Sequence, residues 1–180
     1  MGFHYRINEG KAHFVTMTVV DWIDIFTRKN HKMAIIESLK YCQSNKGLEI
    51  FAWCLMPSHL HLIIRAEDHT KLSDIIRDFK KFTSKELIRL IQEEPESRRD
   101  WMLDRFEFAG RFNPKIKNYK FWQDGNHPVE LFSTAFTKQK LDYIHNNPVE
   151  EMFVSEPHEY LFSSARNYAE MDGLIEVSLI

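Results

Sequence analysis

The chain is poor in cysteine. Only Cys42 and Cys54 occur in 180 residues, too few for a disulfide framework or a four-cysteine metal site, and their scarcity fits a reducing cytosol. Glycine and proline are also sparse, six of each, which excludes collagen-like and Pro/Gly-rich disordered classes. No apolar run approaches the roughly 18 residues of a membrane span. The opening stretch also lacks the basic-then-apolar order of a secretory signal. Charge of one sign is missing too: 24 Lys and Arg face 26 Asp and Glu, so a uniformly basic nucleic-acid coat is excluded. With 43% hydrophobic and 28% charged residues, the composition is that of a globular domain with an ordinary core. We expect a single domain over residues 1–180, with a core at about 10–150 and a C-terminal tail at 151–180.

The charges are unevenly spread. Residues 71–139 hold 14 basic and 11 acidic side chains, whereas residues 140–180 hold 2 and 8. A polyanion would therefore meet the middle of the chain more favourably than its tail.

Periodicity orders the elements. Residues 13–20, rich in β-branched side chains, read as a strand. A helix capped by Asn30 follows over 31–44 and stops at Gly47. Residues 48–56 and 59–66 read as a hairpin turned by Pro57 and Ser58. A second helix runs over 72–92, with Leu72, Ile75, Ile76, Phe79, Phe82, Leu87, Leu90 and Ile91 as its apolar stripe. Residues 93–120 give no clean pattern, and 120–132 suggest one or two short strands around a turn. Ser133 or Thr134 caps a last core helix over 135–147, with Phe136, Leu141 and Ile144 inward and Pro148 closing it. The tail reads as irregular chain followed by a short helix. This order of strands and helices suits an α+β, ferredoxin-like fold: an antiparallel sheet with helices packed on one face.

Two constellations carry chemistry. His59 and His61, two apart on a strand, project to one face, where they either converge on a divalent metal or stand as paired histidines on a half-exposed sheet. Tyr143 and Asn147, four apart on a helix, share a face that His145 leaves. They read either as nucleophile and metal or phosphate ligand, or as packing and a helix end.

The strings Met56-Pro57-Ser58-His59-Leu60-His61-Leu62, Phe121-Trp122-Gln123, Tyr143-Ile144-His145-Asn146-Asn147-Pro148-Val149 and Phe162-Ser163-Ser164 stand in this order over nearly the whole chain. Together they resemble the single-tyrosine HUH transposases (IS200-like), especially the REP-associated tyrosine transposase branch. The resemblance implies His59, His61 and Asn147 as metal ligands, Tyr143 as nucleophile, and Mg2+ or Mn2+ as cofactor. It implies an HUH version of the ferredoxin-like fold that nicks and joins single-stranded DNA or DNA hairpins at repetitive palindromic elements. The intermediate would be a covalent 5′-phosphotyrosine, with no nucleotide cofactor. The expected setting is a prokaryotic cytoplasm, associated with the nucleoid and with no membrane partner, as a homodimer or a monomer. Along the chain, Arg77, Lys80, Lys81, Lys85 and Arg89 of the second helix, with Arg111, Lys115 and Lys117, are the candidate phosphate contacts. The alternatives are a catalytically silent nucleic-acid-binding domain and a metal hydrolase that activates water at His59 and His61.

Overall fold

The structure, a computed structural model, describes residues 7–114 and 116–180. Its sheet follows from period-two alternation. In β1 (His13–Thr18), Val15 and Met17 join one apolar cluster while Phe14 joins another. In β3 (His59–Ala66), Leu60, Leu62 and Ile64 go with Val15 and Met17, and Ile63 goes with Phe14. Because the side-chain period of a strand is two, His59 and His61 must project from the Ile63 face. β2 (Leu48–Leu55) pairs with β3 through a bulge at Phe51, where the register passes from Ile50 opposite Ile64 to Ala52 opposite Ile63. The two-residue β4 (Val129–Glu130) completes an antiparallel sheet of order β2-β3-β1-β4, and Trp122 adds one isolated bridge to Val19.

α1 (Lys29–Lys46) and α2 (Leu72–Glu93) cover the Leu60/Leu62 face and pack against each other. Gly47 ends α1 in the left-handed region at φ 67°, and its N–H donates to the Cys42 carbonyl, a conformation glycine adopts without a Cβ clash. Arg28, not Asn30, occupies the position before α1, and its side chain makes no cap bond there. The Asn30 amide donates instead to Glu94 at 2.6 Å, so a tertiary contact outcompetes the local cap. Within α2, the expected inward Phe82 is 60% exposed and Thr83 is buried in its stead. The Thr83 hydroxyl donates to the Phe79 carbonyl at 2.8 Å and accepts the Trp122 indole N–H at 3.0 Å. Those two bonds satisfy buried polar groups that would otherwise be costly.

The stretch without a clean sequence pattern contains α3 (Arg99–Gly110). Its buried positions Met102, Phe106 and Gly110 recur every four residues, a seam too narrow to stand out from the surrounding charge. α4 (Thr134–Glu150) begins at Ser133, whose hydroxyl accepts the Phe136 N–H at 3.2 Å, as expected of a cap. It does not stop before Pro148 but runs three residues further than the expected end at Asn147. A proline in the last turn forfeits only one helical bond, and the Pro148 carbonyl is taken by the Phe153 N–H at 2.9 Å. Only Ile144 of its three expected apolar anchors is fully buried.

α1 and α2 form the expected helical layer on one face, while α4 lies on the other. There Ile144 packs with Phe14, Phe51, Ala52, Cys54, Met56 and Ile63. Burying Ile144 alone is worth about 1.5–3 kcal/mol. This clamps the helix that carries Tyr143 onto the strands that carry the histidines. After the turn at Pro157–Glu159, residues on both sides of the short α5 (Ala165–Tyr168) run along the outer edge of β2. The Ser164 N–H donates to the Trp53 carbonyl at 2.9 Å, the Leu55 N–H to Phe162 at 2.9 Å and the Ser178 N–H to Ile50 at 3.0 Å. An edge occupied in this way is closed to pairing with another chain. No helix among the described residues is long and apolar enough to cross a membrane.

Candidate active site

Antiparallel register sets Thr18 opposite His59 and Thr16 opposite His61. The imidazoles of His59 and His61 stand with ring centroids 4.7 Å apart. Tyr143, reaching across from α4, brings its phenol ring to 5.2 Å from His61 and 5.9 Å from Phe14, edge-on to both. Phe14 stacks on His61 at 5.7 Å, so an aromatic wall fixes the His61 ring plane. Two hydroxyls address the outer ring nitrogens: Thr16 Oγ1 lies 2.9 Å from His61 Nδ1, and Ser58 Oγ lies 3.2 Å from His59 Nδ1. Asn147, one turn beyond Tyr143, is buried, whereas Tyr143 is 42% exposed. The structure thus brings Tyr143 onto the face that carries His59 and His61, with Asn147 buried on the same helix. His145 turns the other way, its Nε2 at 2.9 Å from Ser164 Oγ and its ring beside Tyr168.

Burial decides the electrostatics. It pushes the His59 imidazole down to about 4, and burial aided by His59 and Lys140 pushes His61 down to about 3. Both rings are therefore neutral at physiological pH and keep a lone pair to offer. Burial, with Glu150 nearby, raises the Tyr143 phenol above its ordinary value, so by itself it is fully protonated at neutral pH. Among the buried polar atoms without a hydrogen-bond partner are His61 Nε2 and, on α4, Asn147 Oδ1. Buried acceptors are normally satisfied. Unpartnered acceptors of this kind suit a divalent cation, and His59, His61 and Asn147 together offer nitrogen, nitrogen and carbonyl-oxygen donors, a set that borderline divalent ions accept. Among the described residues, no group of three or more His, Cys, Asp or Glu side chains is placed to hold a metal ion. The residues present therefore fit a metal only if Asn147 serves as a ligand.

The model of the IS200-like transposase family matches residues 7–147, from just ahead of β1 to Asn147. The chain belongs to the IS200-like transposase family. Among solved structures, a REP-associated tyrosine transposase bound to a REP hairpin matches with a TM-score of 0.64 at 19% identity, over 99% of this chain and 92% of that one. At that identity the likeness establishes the shared α+β fold. A candidate transposase from Deinococcus radiodurans R1 aligns more loosely, with a TM-score of 0.46 at 15% identity over 81% of this chain and 95% of that one. No curated protein matches the chain significantly.

In this transposase the expected basic residues fall into different environments. Arg77 pairs with Asp74 and Asp78, and Arg89 with Glu86 and Glu93, so both guanidinium groups are neutralised on their own helix. Lys80 turns inward and donates at 2.9 Å to both the Gln123 carbonyl and Asn126 Oδ1. Lys81, Lys85 and Lys117 are exposed and line a cleft of ≈ 810 Å³ between α2 and residues 116–124, with Ile88, Phe121 and Trp122 also in its lining. Arg111 lies in a separate depression with Asp104 and Arg105, its guanidinium 5.6 Å from the Phe108 ring. Lys115 lies outside the described residues.

Sequence reasoning missed Thr16, Phe14 and Lys140. The Lys140 ammonium sits 4.8 Å from the Phe14 ring centroid and 5.9 Å from that of Tyr143, with no ion pair to a described carboxylate. Its spacing of three residues before Tyr143 was the available signal, since i and i+3 share a helix face.

Proposed function

We propose that this transposase is a metal-dependent single-stranded DNA endonuclease and strand transferase that acts at hairpin or repetitive palindromic elements, with Tyr143 as its nucleophile. The observation that carries the reading is the Tyr143 ring set against His61, itself against His59, on one face of the sheet, with His61 Nε2 and Asn147 Oδ1 both buried and unpartnered. His59, His61 and Asn147 would hold Mg2+ or Mn2+. When bound, the cation would polarise the scissile phosphate and offset the charge that develops on it.

The remaining work falls to the chain's own residues. Tyr143 Oη gives up its proton to water and bonds to phosphorus. The bond between phosphorus and the 3′-oxygen breaks, and that oxygen leaves as a hydroxyl after taking a proton. The strand stays attached as a 5′-phosphotyrosine. A later 3′-hydroxyl reverses the step, so the phosphodiester count is conserved and no nucleotide is consumed. Phe14 and Thr16 hold the His61 ring in plane and tautomer, and Lys140 faces the incoming phosphate with a positive charge. Lys81, Lys85 and Lys117, exposed along the cleft beside α2, are cations suited to the backbone of a bound strand. The REP hairpin held by the similar structure supports a hairpin as substrate.

The test is incubation with manganese and end-labelled hairpin-forming single strands taken from beside the gene. A denaturation-resistant protein–DNA adduct, absent with Tyr143→Phe and with chelator, is expected. Cleavage without an adduct would select a water-using metal hydrolase, and binding without cleavage a silent binding domain.

A further inference from the structure

The turn after β1 carries an unused aromatic. Val20 and Ile23 are buried in the core, while between them Trp22 is 59% exposed. Asp21 and Trp22 both adopt left-handed backbone, at φ 54° and 57°, a conformation in which a bulky side chain is a genuine outlier. The surrounding structure enforces it. The Val19 N–H donates to the Ser58 carbonyl at 2.9 Å, the Val20 N–H to Phe121 at 2.9 Å, and the Trp22 N–H to Val19 at 3.0 Å. From α3, Arg105 forks its guanidinium onto the Asp21 carboxylate, with Nε at 2.7 Å. The result is an indole pinned on the rim of the site, its ring 5.3 Å from His59 and nearly perpendicular to it.

We propose that Trp22 is a nucleobase-stacking platform that positions the unpaired nucleotide next to the scissile phosphate, and that Arg105 holds it in place through Asp21. The inference rests on the DNA-cleavage reading of the His59, His61 and Tyr143 site and deepens it. A strand threading between the histidines and Tyr143 must place a base beside its phosphate. Of the described aromatic side chains in ring contact with His59 or His61, Trp22 is more exposed than Tyr143 and Phe14. Every base has a π-face, so stacking on it fixes the strand without demanding a particular base. The strained turn explains why a tryptophan is displayed where simple packing would tuck it inward. Trp22 touches no reacting atom and acts by positioning.

The experiment uses the full chain with Tyr143→Phe as binding parent. The ligand is a hairpin-forming single strand from beside the gene, with single abasic nucleotides walked through its unpaired stretch. Trp22→Ala is expected to weaken binding of the intact strand by about 5- to 150-fold, the range for losing one stacked base, and Trp22→Phe to retain most of the affinity. One abasic position should lose the same factor in the parent and nothing further in Trp22→Ala. Arg105→Gln should reproduce part of the loss with the strand intact. Trp22→Ala weakening intact and abasic strands alike at every position would overturn the inference, since a residue that only shields His59 behaves that way. Unchanged affinity in Trp22→Ala, with folding verified by melting, would overturn it as well. A parent that binds none of the strands refutes the DNA reading itself, which separates the two failures.

Discussion

Thr16→Val tests how the site is tuned without touching the groups that react. Thr16 Oγ1 lies 2.9 Å from His61 Nδ1. If His61 is to offer Nε2 to a metal, its proton must sit on Nδ1, and the Thr16 hydroxyl is the acceptor that holds it there. Valine keeps the shape and removes the acceptor. The lost hydrogen bond is worth about 1 kcal/mol of stability, or roughly 2–4 °C in melting temperature for a domain of this size. The larger effect falls on the metal, because loss of an outer partner of a ligating histidine typically costs about 10–100-fold in affinity. Calorimetric titration with manganese measures that directly, and the rate of adduct formation against manganese concentration measures its consequence. The expected pattern is a 10–100-fold weaker metal constant with the rate restored at saturating metal. A metal affinity equal to the wild type's would refute the reasoning, because His61 would then not be a ligand held by Thr16.

Other outcomes follow from the same geometry. Ile144→Ala, at a fully buried site between α4 and the sheet, should destabilise by about 2–5 kcal/mol; a urea midpoint close to wild type would contradict that packing. Lys140→Met should slow adduct formation by about 10–100-fold with Lys140→Arg largely retained, as expected for a cation facing developing charge; equal rates in all three proteins would remove Lys140 from the site. Burial pushes the Lys80 ammonium down to about 8 from 10.5, so the folded state loses its proton before the unfolded state does. Stability should then rise between pH 8 and 10.5, by at most about 3 kcal/mol, and the penalty should be fully present below pH 8. Urea melts at pH 7.5 and 10 should show that rise in the wild type and a smaller one in Lys80→Met, and identical pH slopes would exclude Lys80 as its source.

Much of the site is legible in the sequence because its spacings are local. Two residues apart on a strand puts His59 and His61 on one face, and four apart on a helix does the same for Tyr143 and Asn147. What unites the pairs is not local. It depends on the register that sets Thr16 against His61, on the bulge at Phe51, and on Ile144 docking α4 onto the face opposite α1 and α2. Thr16, Phe14 and Trp22 join the site only through that pairing, so no linear pattern announces them. The basic stripe of α2 shows the converse failure. Periodicity places Arg77 and Arg89 on the surface, but whether each charge is free depends on acids a turn away, and those acids neutralise both. α3 escaped notice because a narrow four-residue seam is all it buries. Its contribution, Arg105 on Asp21, appears only in three dimensions.

The most direct test of the account is to digest the protein–DNA adduct with protease and nuclease and locate the modification by tandem mass spectrometry. A nucleotide joined through its 5′-phosphate to the peptide that contains Tyr143 is the expected product. A nucleotide on another residue, or cleaved DNA with no modified peptide, would contradict it.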